Sequence, residues 1–534
     1  MKNSSFFHSV QATLPFWIVL IAGLSLFTSH IIGFNFTHFP GDMGDGRLNM
    51  YCLEHAHRFM TGQTPSLWEA PFMFPEKKVI TYSENLVGST PVYSVFRLFG
   101  ADRELAYQLW YVAISILNYT FAFLFLKSFT KNAFAAALGA FVFAFGLSLQ
   151  SQMTHAQTFP RFAIPLALWL TYLFYRELKL KYFYLLLLAV VYQFYCSIYL
   201  GMMLLPVMAI LIVSILIFQR KLLFERLRSR YWLATVVSAI AVSGFALIVL
   251  MWHYYQRSEG QPVKSLRDVW MTLPTPTSYF YSQPGSLMWD GLSQVGADLP
   301  ASWDHQLFPG IVCVICVIAF FIIICQKKKY IEFNLPERNW MLALLITMSI
   351  AFLLFLKIGG ITLYTLLFNL PGFKALRSLT RIINIELIFF ACAVALVFLR
   401  LLQSEKLKKS TWSLFLVSFA LLVADNYFLE EKSYTTPVSE QREEMMNWGK
   451  RAEGIPAGSI VSFEVDSVCE DATRHQISAM LCAQDHGLIC LNGYTATSPV
   501  GFDAYWMNPN EKTRKIWLNR MGFPEDRVWV IKIP

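Results

Sequence analysis

Long apolar runs separated by short polar turns set the pattern of this chain. Runs near 13–33, 105–126, 133–149, 159–175, 183–199, 201–218, 233–253, 308–325, 340–357, 382–402 and 411–428 predict eleven membrane helices. Each approaches or reaches the ~20 residues that cross a ~30 Å hydrocarbon core. The run from Tyr182 to Phe218 is nearly continuous. Its length suits two spans joined by a tight turn near Ser197–Gly201.

The turns alternate in charge. Lys127 and Lys131, then Arg176, Lys179 and Lys181, then the cluster from Arg220 to Arg230, then Lys327, Lys328, Lys329 and Arg338, and finally Lys406, Lys408 and Lys409 fall in every second connection. Basic short loops face the cytoplasm, so this alternation places the N-terminus inside and requires the split near Ser197–Gly201. The first apolar run is too long for a cleavable signal and no small-residue cleavage pattern follows it. It reads as an anchor.

The other set of connections is different in kind. It holds the long loops 34–104 and 254–307, short links near 150–158 and 194–201, the segment 358–381, and the tail. Most of the polar chemistry therefore lies on one face, as an enzyme acting there on a membrane-delivered substrate would require. The expected fold is an all-α polytopic bundle over 1–430 with a small extracytoplasmic α+β domain at 431–534. The strand-like runs Ser459–Val465 and Val528–Ile533 and the turn Asn492-Gly493 support the latter.

Composition sharpens this picture. Of 534 residues 55% are hydrophobic and 15% charged, and the mean hydropathy is +0.45. Soluble domains carry about 25% charged residues. The net charge of +9 sits mostly in the short basic turns, which makes it a topology signal rather than a nucleic-acid footprint. Of the nine cysteines, Cys196, Cys313, Cys316, Cys325 and Cys392 lie in or beside apolar runs and read as small buried hydrophobes. A disulfide is expected among the tail residues Cys469, Cys482 and Cys490, with the pair left open. No Walker A, GxGxxG, GxSxG or HExxH pattern occurs.

Candidate chemistry gathers in the polar set. Gly41-Asp42-Met43-Gly44-Asp45-Gly46 places two carboxylates three apart among glycines, in a turn that presents both. Either Asp42 or Asp45 can serve as a general base on an acceptor hydroxyl, or the two can hold a divalent cation. Glu54 and Arg58 follow at helical spacing, and Glu84 stands further along the loop. His155, Gln157 and Arg161 mark one boundary segment and Asp304 and His305 another. The histidines are candidate polar contacts or metal ligands. Lys374, Arg377 and Arg381 stand where topology asks for no positive charge, and Arg377 and Arg381 would share a helix face. A phosphate or pyrophosphate at head-group level explains them. Glu386 falls within a span and is either a strut or functional.

These segments resemble the GT-C class of multipass glycosyltransferases, and within it the bacterial YfhO-like and related uncharacterised members. The likeness is carried by Gly41-Asp42-Met43-Gly44-Asp45, His155-Ala156-Gln157, Pro371-Gly372-Phe373 with Arg377 and Arg381, and Asn492-Gly493-Tyr494-Thr495-Ala496-Thr497-Ser498-Pro499. It implies transfer of a sugar from a polyprenyl-phosphate donor to an envelope glycan, lipid or protein acceptor on the outer face of a bacterial cytoplasmic membrane. Asp45 or Asp42 would take the acceptor proton. Arg377 and Arg381, joined by Arg161, would hold the lipid phosphate, with His155, Gln157, His305 and Glu54 as further binding candidates. No organic cofactor is expected. The alternatives are a transporter or lipid flippase, which needs a polar path across the membrane, and a non-catalytic envelope-assembly protein.

Overall fold

The computed structural model describes residues 2–153, 155–258, 265–325, 335–429, 435–466 and 469–533. Lys327, Lys328, Lys329 and the start of the tail lie outside the described residues.

Each of the expected apolar segments is helical. Six helices are long and apolar enough to cross a membrane by length and composition, and Ala133–Leu149, Leu180–Cys196, Ile311–Ile324 and Thr411–Asn426 are shorter apolar helices. The chain is an integral membrane protein built mainly of helices. Side-chain oxygens start several of them. Asp102 accepts from the Leu105 amide at the head of Arg103–Thr130, and Asn132 accepts from Ala135 at the head of Ala133–Phe145. The long run does break at Ser197, the single extended residue between helices Leu180–Cys196 and Ile198–Leu227. Glu84, buried in the first long loop, accepts from the Ile198 and Tyr199 amides and from the Ser197 hydroxyl. The break is thus specified by a carboxylate more than a hundred residues away. The second helix runs on through Arg220, Lys221 and Arg226, because these residues are good helix formers on exposed turns.

The segment Leu379–Leu401 is the most enclosed of the candidate spans. Its helix packs against Ala133–Phe145 and Ile311–Cys325. Small residues allow the approach, since a Cβ on Gly139 would stand 2.5 Å from the Ala391 carbonyl. On the basic-turn side, Arg176 pairs with Glu337 and the Tyr175 hydroxyl donates to the Pro336 carbonyl. The long loops and the tail meet each other.

The tail holds a three-stranded parallel sheet, with Ile460–Val465 between Ile489–Cys490 and Val528–Ile533. Helices Val438–Ala452, Ala472–His486 and Glu511–Arg520 accompany it. The tail is stitched into the first long loop. His38–Pro40 pairs antiparallel with Thr435–Pro437. The Cys490 amide donates to Pro71, and the Met73 and Phe74 amides donate to Asn492 and Cys490. Ile477, Met480, Leu491, Phe502 and Trp517 of the tail belong to the same apolar core as the bundle. The expected tail disulfide is corrected here. Cys469, Cys482 and Cys490 are free thiols, and Cys482 and Cys490 pack as small apolar groups in the tail's own core.

Candidate functional site

The glycine turn sets the first carboxylates. Gly41 has φ +95°, and a Cβ there would meet Gly46 Cα at 3.1 Å. Asp42 Oδ1 accepts from the Gly44 and Gly46 amides, both at 3.1 Å. That oxygen closes the turn. Burial raises the Asp42 pKa, with the neighbouring Asp45 charge adding to the rise against those amides. Asp45 is the first residue of helix Asp45–Met60, where the helix dipole favours an anion.

Three further segments converge on Asp45. His155, on the link after Met153, places Nδ1 3.2 Å from Asp45 Oδ2. Gln157 on the same link accepts from Asn49 Nδ2, which also donates to the Asp45 carbonyl. Tyr494, on the tail segment Asn492–Pro499, donates its hydroxyl to Asp45 Oδ1 at 2.8 Å. Arg381 contributes its charge. Burial alone would raise the Asp45 pKa, but His155, Tyr494 and Arg381 together hold it below the ordinary carboxylate value.

Asp304 approaches from the far side of His155. Its Oδ1 lies 3.9 Å from His155 Nε2, and its Oδ2 accepts from the Ser378 hydroxyl at 2.9 Å. The imidazole thus stands between two carboxylates, showing one nitrogen to each. The three groups form a row rather than a cage. Among the described residues no three His, Cys, Asp or Glu side chains gather as a metal site. The donors around Asp42 and Asp45 are amides, a phenol and an imidazole, which suit hydrogen-bonded carboxylates rather than a cation shared between the two.

Arg377 and Arg381 do not share one continuous helix. Ser378 is extended, Leu379–Ile382 is a 3-10 turn, and the α-helix begins at Ile383. Tyr199 brings the pair to the site by another route. Its hydroxyl accepts from the Arg377 amide at 2.6 Å, and its ring lies 4.7 Å from the Arg381 guanidinium carbon. Arg377 is exposed and its guanidinium donates to the Ala496 carbonyl. Arg381 is only 6% exposed, its Nε has no hydrogen-bond partner, and among the described residues no carboxylate pairs with it. Unlike the other buried arginines of the bundle, Arg381 stands beside the Asp45 carboxylate and Tyr199, where its charge can meet an anion.

The structure places four other candidates elsewhere. Arg161 is fully buried and donates to the Phe143 and Ala144 carbonyls at the end of Ala133–Phe145, between the Phe143 and Phe159 rings. It finishes a helix. His305 uses both nitrogens, one toward the Ser278 hydroxyl at 2.7 Å and one toward the Met271 carbonyl at 2.8 Å, and burial lowers its pKa. It pins two loops together. Glu54 is clamped by Arg58, Arg97 and the Tyr93 hydroxyl, which overcome its burial and hold its pKa at about 2. Glu386 accepts from the Tyr279 hydroxyl at both oxygens rather than pairing with Arg381. Sequence reasoning marked Asp304 only as a boundary-segment carboxylate and left Tyr199 and Ser378 out. Tyr494 stood in a segment singled out for its likeness, but its contact with Asp45 had no signal in local spacing.

Comparison with known proteins bears on what this arrangement belongs to. Residues 89–425 match the family described as Domain of unknown function (DUF6311). The chain belongs to that family. No curated protein matches it. Among solved structures, the archaeal oligosaccharyltransferase AglB from Archaeoglobus fulgidus, in complex with an inhibitory peptide and a dolichol-phosphate, is similar in fold. The TM-score is 0.52 at 12% identity, and the match covers 98% of this chain and 70% of that one. This DUF6311 member therefore has a GT-C-like fold.

Proposed function

We propose that this DUF6311 protein is a membrane glycosyltransferase, which moves a sugar from a polyprenyl-phosphate donor to an envelope glycan, lipid or protein acceptor. The observation that carries the reading is the pairing, in one site, of an ionised carboxylate on Asp45 with an unpaired buried guanidinium on Arg381. The GT-C-like fold and the dolichol-phosphate bound to AglB support it. The finer likeness to YfhO-like members rests on the sequence segments alone.

In this mechanism the acceptor hydroxyl takes the place of Tyr494 on Asp45. A bond forms between the acceptor oxygen and the anomeric carbon as the bond from that carbon to the phosphate oxygen breaks. The acceptor proton passes to Asp45 late, once attack has made the hydroxyl acidic. Charge builds on the departing lipid phosphate, where Arg381 and Arg377 stabilise it. The sugar becomes oxocarbenium-like. Asp45 is a weak base, and the leaving phosphate supplies the driving force.

The alternation of basic turns along the sequence supports an outer-face site in a bacterial cytoplasmic membrane with eleven spans and an extracytoplasmic tail. Residues 1–430 would form the catalytic membrane unit and 431–534 a domain that covers it. Transport has less support, since Glu386, an acid within a candidate span, is held by Tyr279 at both oxygens.

Mass spectrometry of envelope glycans and glycolipids tests the reading in three strains: one lacking the protein, one restored with the native chain, and one restored with Asp45→Asn at matched abundance. Transfer requires that a sugar vanish on deletion and return only with the native chain. No change in any strain overturns the proposal.

A further inference from the structure

A concave site lies beside the strap Asn492–Pro499. It is a cavity of about 390 Å³ between the end of helix Arg230–Ser258 and the turn that carries Glu76 and Lys78. Neither the DUF6311 match nor the reaction proposed above gives it a role.

The walls combine two kinds of surface. On one side are Trp252 and Tyr255, with ring centroids 5.9 Å apart and planes 25° from parallel. Both are more than half exposed. On the other side are Glu76, Lys77 and Lys78. The turn is held in place. Lys78 has φ +52°, an uncommon conformation for a residue other than glycine, and its amide donates to Glu69 at 2.8 Å. Its ammonium donates to Gln256.

Arg257 closes the cavity. A membrane-surface arginine extends its head group toward lipid phosphates. Arg257 instead turns inward, with its guanidinium carbon 4.3 Å from the Tyr82 ring centroid and a hydrogen bond to the Thr497 hydroxyl. Its Nε is buried without a hydrogen-bond partner among the described residues.

Flat aromatic faces beside a dense set of charged donors and one carboxylate suit a pyranose ring, whose C–H face packs on aromatics while its hydroxyls bond in the plane. Lys77, Lys78 and Arg257 outweigh Glu76, so the favoured sugar carries a negative charge. Glu76 sets the cavity against a bare lipid phosphate. Thr497 stands three residues from Tyr494, a reach of about 10 Å at most, so a sugar in the cavity lies near the one that reacts at Asp45.

We infer that this cavity is a subsite for an acidic sugar of the acceptor, presented by a glycan or by a glycolipid head group. The inference rests on the transferase reading, but binding tests it separately from transfer. Full-length protein is placed in phosphatidylcholine nanodiscs and titrated calorimetrically with trigalacturonic acid, maltotriose and inorganic phosphate. A parallel set of nanodiscs carries a glucuronosyl diacylglycerol or phosphatidylglycerol, read by tryptophan fluorescence.

The acidic trisaccharide or the acidic glycolipid should bind, at least tenfold more tightly than maltotriose. Trp252→Ala, and independently Tyr255→Ala or Lys77→Gln, should weaken binding about tenfold. Whichever of the two acidic probes binds more tightly names the source. The inference is overturned if maltotriose binds equally well, if neither acidic probe binds, if the cavity variants bind normally, or if only phosphate or phosphatidylglycerol gives a response. Normal binding with unchanged envelope glycans would overturn the transferase reading and leave the subsite standing.

Discussion

The Tyr494 hydroxyl and Asp45 Oδ1 lie 2.8 Å apart across 449 positions of sequence. This contact places the tail directly on the proposed base, and it fixes the sign of a pH effect. The Asp45 pKa is held low, so the ionised base is lost only as pH falls below the ordinary carboxylate range. Tyr494→Phe removes one stabilising donor and raises that pKa. The acid limb of the kcat/KM profile for glycan transfer in membranes, which reports the free enzyme, should therefore move to higher pH.

Arg381 and Arg161 are both buried arginines, but their hydrogen-bond partners differ. Arg381→Gln should weaken binding of a polyprenyl monophosphate to the purified protein by about 10- to 100-fold, the effect of losing a charge-assisted contact. Arg161→Gln should leave that binding near native and lower the melting temperature, because its guanidinium serves the Phe143 and Ala144 carbonyls. Thermal unfolding with and without the lipid separates the two.

Glu54 carries a stability prediction. Its folded pKa of about 2 lies below its ordinary value of 4.5. The clamp by Arg58, Arg97 and Tyr93 thus contributes fully above about pH 4.5, and the contribution fades as pH falls toward 2. Glu54→Gln should destabilise the protein by about 3 kcal/mol at neutral pH. The difference from the native chain should shrink across that acid window in denaturation curves.

Gly493 sits where the strap crosses the first loop. A Cβ there would stand 2.3 Å from Met73 Cγ and 2.9 Å from Phe72 Cδ2. Gly493→Ala should cost about 1–3 kcal/mol through overpacking. It should also displace Tyr494 and so reproduce part of the pH shift of Tyr494→Phe, read in the same assay.

Much of the membrane unit was legible because its signals are local. Apolar run length marked the helices, and the nearly continuous run from Tyr182 to Phe218 breaks at Ser197 as its length required. The partners of the polar groups were less legible. Asp304 meets His155, Tyr199 carries Arg377 and Arg381, and Tyr494 meets Asp45, all through pairings with no local period. Arg161 and Arg381 look alike in sequence, and only the fold shows that one donates to helix-end carbonyls while the other stands beside Asp45 and Tyr199. Cysteine counting failed in the tail because Cys482 and Cys490 serve as apolar filling.

The strands and amides that tie Pro71–Phe74 to Cys490 and Asn492 also impose an order in time. Synthesis delivers Asp45 early and Tyr494 after every apolar helix has been made. The carboxylate therefore passes through membrane insertion without its phenol, and the tail cannot dock until the bundle is threaded. A chain halted before Asn492 would hold every helix of the bundle but leave Asp45 without its phenol, so the tail segment acts as a safety catch on the proposed chemistry.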